Sequence, residues 1–302
     1  MARLSKAPLR LLRDPGDVRV ADLRPVVPLV GVPWDWSTAG RPGSRMAPSA
    51  IRSELLASAT LSEDLGQLNV GFLDLGDVEV VPGNLLETAR RVEEASREAL
   101  AKATPNGVPA VFLGGDHSVT GWLARPAVEH GASLLVLDAH YDLRSTSEGL
   151  TSGSWLRELK ESHRGLDALV VGPSEYSNPP YAPARAKELG VEAVPRVSMM
   201  RDPASSLELI KDFVKGRAIY LSIDMDHLDQ SFAPGVNSPT PLGMTPYETN
   251  QVIETLRLAK AVVAVDVTEV APPYDVGGIT SRLAARLLLR AVHLALTGPA
   301  RA

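Results

Sequence analysis

The chain has 302 residues, 44% hydrophobic and 22% charged, with a formal net charge of −5 and no cysteine. That suits a large α/β chain with a substantial core and excludes a disordered one. It also excludes disulfides, thiolate zinc sites, iron–sulfur clusters and cysteine nucleophiles, and the acidic balance leaves nucleic acid without an electrostatic footprint.

From the N-terminus, residues 1–14 are basic but lack the apolar core and cleavage site of a secretory signal. No apolar stretch is long enough to span a bilayer, so a cytoplasmic protein with no membrane partner is expected. Apolar runs then alternate with helical patterns along the chain. Strand 27–32, helix 50–57, strand 70–73, helix 85–103, strand 111–113, helix 119–129 and strand 134–138 come first. Helix 153–162, strands 168–172 and 191–194, helix 203–214, strand 218–224, helix 246–258, strand 261–265 and helix 280–296 follow. Such alternation predicts a parallel sheet covered on both faces. The chain shows no composition shift and no internal repeat. It reads as one domain, 1–302, with residues 1–20 a loosely ordered extension. Two loops rich in Pro, Gly, Ser or Asn, 145–154 and 229–243, are read as walls of a substrate pocket.

Four motifs follow apolar runs: Gly114-Gly115-Asp116-His117, Asp138-Ala139-His140-Tyr141-Asp142, Asp224-Met225-Asp226 and Asp266-Val267-Thr268-Glu269. A parallel sheet brings the carboxyl ends of its strands to one rim. Histidines and carboxylates gathered there need cations to neutralise them. Asp138, His140 and Asp142 alternate, as do Asp224 and Asp226, and extended backbone would point each set one way. With His117 they form an oxygen and imidazole set for divalent metals, with Mn²⁺ the natural candidate and Zn²⁺, Fe²⁺, Co²⁺ and Ni²⁺ open on ligand type alone. Bridged metals would hold a hydroxide as nucleophile. Any one of these aspartates could instead be a helix cap or turn former; the combination of spacings argues for metal. Asp116 reads as turn support, His227 as facing away, and His130, His163 and His293 as solvated.

These motifs resemble the ureohydrolase family of arginases, agmatinases and formimidoylglutamases. The resemblance also takes in Gly40-Arg41-Pro42-Gly43, Ala47-Pro48, Ile51-Arg52, Phe232-Ala233-Pro234-Gly235 and Pro272-Pro273-Tyr274-Asp275. It implies a three-layer α/β/α sandwich with a mostly parallel sheet of about eight strands, the arginase/deacetylase fold. Two Mn²⁺ per subunit are implied, one held by His117, Asp138, Asp142 and Asp224, the other by His140, Asp138, Asp224 and Asp226, with Asp138 and Asp224 bridging. Asp142 would also aim the hydroxide, and Glu269 would pair with the cationic amidine or guanidine of a small-molecule substrate. A homo-oligomer, trimer or hexamer, is implied too.

Within the family the chain is most similar to formimidoylglutamases. Guanidine-cleaving members carry His-Gly in the loop after Asp-Ala-His-Xaa-Asp, where this chain has Ser152-Gly153. A serine is no general acid near neutral pH. Asp142-Leu143-Arg144, Tyr176-Ser177-Asn178 and Phe232-Ala233-Pro234-Gly235-Val236 fit the same branch. Arg144, at the mouth of the site, is a candidate grip for a substrate carboxylate; a surface salt bridge is its plain alternative. Ser152 and Asn178 are candidate polar contacts, with turn formation the alternative for Asn178. Trp155-Leu156 departs from the Thr-Pro-Phe-like pattern, and Gly277-Gly278-Ile279 replaces a charged stretch. The implied reaction is hydrolysis of N-formimino-L-glutamate to L-glutamate and formamide, a step of histidine degradation. The alternatives are urea release from a guanidine such as a guanidino acid or agmatine, and a non-catalytic metal-binding paralogue. A zinc deacetylase on the same fold would lack the second metal's full ligand set.

Overall fold

The computed structural model describes residues 25–297 apart from Glu148, so the expectation for residues 1–20 lies outside the described residues. In chain order the elements are β1 (Val26–Gly31), α1 (Ala47–Leu56), β2 (Leu61–Ser62), β3 (Gly66–Gln67), β4 (Gly71–Asp77), α2 (Leu85–Ala103), β5 (Ala110–Leu113), α3 (Ser118–Glu129), β6 (Ser133–Leu137) and α4 (Trp155–Ser162). They continue with β7 (Ala168–Val171), α5 (Ala182–Leu189), β8 (Val191–Val194), α6 (Arg196–Arg201), α7 (Pro203–Val214), β9 (Ala218–Asp224), α8 (Pro246–Glu254), β10 (Ala261–Thr268) and α9 (Ile279–Thr297).

Eight strands form one sheet in the order β4-β1-β5-β10-β9-β6-β7-β8, and every pairing in it is parallel. Helices α2, α3, α4 and α5 contact one another in succession as one layer, and α1, α9, α8 and α7 form the other. Both faces of the inner strands are thereby covered, which is why β5, β6 and β7 are buried at every position. The edge strand β4 alternates instead. The helices start where local chemistry lets them: Asn84 caps α2 by accepting from the Glu87 N–H at 3.0 Å, and Thr245 and Glu248 form a capping box on α8.

The expected elements are present, with three differences. Helices α5 and α6 and the short β2–β3 hairpin lie where none was predicted. Residues 255–258, expected to extend α8, tighten into a 3₁₀ turn. Strand β10 runs on to Thr268, which places Asp266 inside the sheet and not at its rim. No helix among the described residues is long and apolar enough to cross a membrane.

Four neighbouring inner strands, β5, β10, β9 and β6, carry the motifs. Their registers are level at the carboxyl end: Leu113 pairs with Val267, Thr268 with Asp224, and Leu137 with Ile223. With neighbouring strands roughly 4.8 Å apart, the residues leaving these ends must share a small volume.

Candidate metal centre

The chain turns sharply as it leaves each strand, and the turns place the ligands. After β5, Gly114 and Gly115 bring the backbone against the first loop, where a Cβ on Gly115 would sit 1.7 Å from the Trp34 carbonyl oxygen. Only glycine fits there. Asp116 completes that turn, its buried carboxylate accepting from the backbone N–H groups of Ser37 and Ser118. Burial pushes Asp116 up to about 7. His117 follows at the head of α3.

The alternation expected of Asp138, His140 and Asp142 is not how they converge. Strand β6 ends at Leu137, and Asp142 has φ of 52°. Asp226 likewise lies in a 3₁₀ turn, Met225–His227. The reason is local: Asp138 Oδ1 accepts from the His140 N–H at 2.6 Å, and Asp224 Oδ1 accepts from the Asp226 N–H at 2.8 Å. Each aspartate thus forms its own turn with one oxygen. The other oxygen, Oδ2 in both cases, faces the Nδ1 of His117, at 3.1 Å from Asp138 and 2.9 Å from Asp224. Asp142 Oδ2 is 3.1 Å from the same nitrogen. His140 Nδ1 lies 3.3 Å from Asp138 Oδ1 and 3.2 Å from Asp226 Oδ2. Two ligand groups result, His117–Asp138–Asp224 and Asp138–His140–Asp226, with Asp138 common to both.

A chain of hydroxyls decides which nitrogen of His117 is free. Ser222 Oγ donates its one proton to Asp266 Oδ1 at 2.6 Å, so the 3.0 Å contact with His117 requires Nε2–H to donate to Ser222. Asp266 is buried and also accepts from Tyr220 at 2.7 Å and Thr120 at 2.9 Å. With Nε2 so engaged, the Nδ1 lone pair faces three carboxylate oxygens. Buried lone pairs in that arrangement repel unless a cation sits among them. Among the described residues, His117 Nδ1 and Asp226 Oδ1 are indeed buried atoms without a hydrogen-bond partner. The donor set therefore fits divalent metal. Its electrostatics agree. Burial, then repulsion from Asp138, pushes Asp142 up to about 7, and burial and Asp226 push Asp224 well above the carboxylate range. Although burial opposes their charge, Asp224 raises His117 and Asp226 raises His140 well above 6.5. Protons fill places in which cations would compete.

Glu269 leaves β10 with φ of 64°. Its Oε1 accepts from the His117 N–H at 2.6 Å, and burial, then Asp224, raises its pKa well above the usual range. A pocket opens over the cluster. Loop 145–154 gives it Ser152 and Gly153, with Arg144 just before, and loop 229–243 gives it Asn237 and Ser238. The segment ahead of α5 adds Ser177 and Asn178, the latter a candidate contact from the sequence. Arg144 is exposed, and among the described residues its guanidinium has no ion-pair partner. Ser152 Oγ accepts from the Ala39 N–H at 3.0 Å. Asn178 is occupied on both sides: Oδ1 accepts from Tyr141 N–H at 3.0 Å, and Nδ2 donates to the Ala139 and Ser174 carbonyls. His227 stays out of the cluster, contacting the Asp224 carbonyl and Thr249. His293, expected in solvent, is buried on α9 because it lies on the helix's inward face. Sequence reasoning also missed Ser222, a small polar residue inside an apolar strand.

Residues 26–293 match the family model described as Arginase family. The chain belongs to the arginase family. Over 267 residues it is 34% identical to the formimidoylglutamase of Halobacterium salinarum, covering 86% of this chain and 85% of that one. It is 34% identical over 273 residues to the mitochondrial guanidino acid hydrolase of Homo sapiens, covering 86% and 75%. The crystal structure of formimidoylglutamase from Bacillus subtilis superposes with a TM-score of 0.80 at 26% identity, covering 95% of this chain and 97% of that one. This arginase-family chain is thus a hydrolase of a metal-dependent family, with the ligand cluster at the carboxyl rim of its sheet.

Proposed function

We propose that this chain is a dinuclear manganese hydrolase that converts N-formimino-L-glutamate and water to L-glutamate and formamide. The observation that carries the choice of substrate is Arg144, a guanidinium at the pocket with no ion-pair partner of its own among the described residues. A substrate with carboxylates would supply that partner bidentately; agmatine, a cation without a carboxylate, would be repelled.

His117, Asp138, Asp142 and Asp224 would hold one ion, and His140, Asp138, Asp224 and Asp226 the other. Bound there, two divalent ions supply a water acidified enough to ionise near neutral pH. The chain's residues do the rest. Glu269 keeps Oε1 on the His117 N–H and presents Oε2 to the forked N–H donors of the amidinium. Arg144 takes the carboxylate end, so the amidine carbon is held between the two anchors. Asp142 accepts a proton of the attacking water, orients it, and returns that proton to the leaving glutamate nitrogen as the C–N bond breaks. Ser152 orients the substrate by a hydrogen bond, while Asn178 spends its amide on the turn beside His140. The resemblance also leads us to expect a homo-oligomer, and a cytoplasmic location is our default expectation.

A second reading draws on the 34% identity to a guanidino acid hydrolase: a guanidino acid would satisfy Arg144 and Glu269 equally and release urea. Ser152 disfavours it by resemblance, since guanidine-cleaving members of the family carry a histidine where this chain has serine. The test supplies Mn²⁺-loaded protein with N-formimino-L-glutamate, guanidinobutyrate, guanidinopropionate, arginine and agmatine. Glutamate with formamide, lost in Asp224→Ala, is expected. Urea from a guanidine overturns the substrate, and no turnover with two metals bound overturns the enzyme reading.

A further inference from the structure

Trp155 opens α4 and is fully buried. Its indole N–H can only donate, and it donates to Asp142 Oδ2 at 2.7 Å. That same oxygen faces His117 Nδ1 at 3.1 Å. Asp142 Oδ1 has no hydrogen-bond partner among the described residues, and Asp142 lines the pocket. The backbone here needs outside support, because Asp142 sits at φ of 52°, which L side chains rarely adopt. The start of α4 provides it twice: Trp155 holds the carboxylate, and the Arg157 N–H donates to the Asp142 carbonyl at 3.3 Å.

The indole also meets the other end of the cluster. Its ring lies 4.9 Å from the His117 imidazole, centroid to centroid, at 52°. Helix α3 makes room by having Gly121, where a Cβ would come within 3.3 Å of the Trp155 Cβ. Trp155 belongs to the pair by which this sequence departs from the formimidoylglutamase pattern.

We propose that Trp155 is a positioning residue for Asp142: its N–H fixes one carboxylate oxygen among the metal ligands and leaves the other aimed at the attacking water. It touches neither substrate nor metal and acts through Asp142. The proposal rests on the role given to Asp142 above.

Trp155→Phe keeps an aromatic ring and removes the donor. Calorimetric titration of the metal-stripped variant with Mn²⁺ is expected to show one of two ions bound ~10-fold more weakly. In the Mn²⁺-saturated variant kcat falls ~10- to 100-fold while KM stays within about twofold. Combined with Asp142→Asn, the substitution adds nothing further, because both act on one contact. Mn²⁺ affinity and kcat within about twofold of the parent overturn the proposal, as does full additivity in the double variant. A measurement on the intact indole covers a Phe variant that fails to fold. The chain has four tryptophans, and in the metal-free protein Asp142→Asn must shift one of their four indole N–H resonances; four unmoved signals overturn the contact. Metal titration and indole resonance need no substrate, so they judge Trp155 even if the amidine named above is not turned over.

Discussion

The Glu269 carboxylate accepts a 2.6 Å hydrogen bond from the backbone N–H of His117. The residue assigned to the substrate and a residue assigned to the metal thus share one anchor. Glu269→Gln preserves an acceptor for that N–H and removes the charge. Mn²⁺ content should be unchanged while kcat/KM for a cationic amidine falls at least ~100-fold. Equal losses of metal and activity would instead mean that Glu269 serves only to hold the His117 turn. Metal analysis beside steady-state kinetics separates the two.

Asp138 is the carboxylate common to both ligand groups, whereas Asp226 belongs to one. Asp138→Ala should lose both ions, and Asp226→Ala only one. Activity should fall ~1,000-fold or more in the first case. Metal counted by mass spectrometry under native conditions reads this directly; a full complement in Asp138→Ala removes the two-metal reading.

Arg144 is exposed and without an ion-pair partner among the described residues, so its loss should leave stability within about 0.5 kcal/mol. Arg144→Ala is expected to raise KM for a carboxylate-bearing amidine ~10- to 100-fold, with Lys a partial substitute that restores charge but not the fork. An unchanged KM would return Arg144 to the status of a surface cation.

Asp266 accepts three hydroxyl protons in the sheet interior. Asp266→Asn leaves one acceptor oxygen for three donors, at a cost of about 1–3 kcal/mol in denaturant unfolding. It should also free the Ser222 proton to rotate, weakening Mn²⁺ at the His117 group ~10-fold. Lost stability with undiminished metal affinity would limit Asp266 to holding α3, β9 and β10 together.

The pH response of the metal-free protein follows from the directions already described. Burial and neighbouring carboxylates raise Asp142 to about 7 and Asp224 and Glu269 well above their ordinary range. Against the pull of burial, Asp224 raises His117 and Asp226 raises His140. All five groups hold protons more tightly folded than unfolded. Each therefore contributes stability that is present below its unfolded value and lost as pH rises through its folded value. Thermal midpoints in chelator should fall from about pH 5 to about pH 8, and Mn²⁺ affinity should climb over the same span as those protons are displaced. Midpoints that rise with pH in chelator would show that protons do not occupy the cluster.

Much of this was legible in the sequence because the inner strands obey one rule. Strands buried on both faces are unbroken apolar runs, so β6 and β9 declared themselves, and the polar residues at their ends stood out. Helix α5 did not: Pro179, Pro180 and Pro183 crowd its start, and its Ala-rich, half-exposed turns carry little periodicity. The ligand identities were readable and their geometry was not, because period two fails once Asp138 and Asp224 bend their own backbones. Asp266 was misplaced for the opposite reason. A charge inside a strand is unexpected until Thr120 of α3 and Tyr220 and Ser222 of β9 come together to receive it. Trp155 looked like a mere departure from pattern, since nothing in linear order shows an indole reaching back thirteen positions to Asp142.

The metal ligands issue from β5, β9 and β6, and Glu269 from β10 between β5 and β9, each strand laddered on both sides, whereas Arg144, Ser152 and Asn237 hang on loops above them. The two parts are physically separable. A lineage can lengthen, shorten or rewrite those loops, and so exchange one acid-bearing substrate for another, while the strand ends keep their hydrolytic power. Chemistry and taste can drift apart in such a protein, which makes the loops the place where a new specificity would arise and the place where an engineered one should be sought.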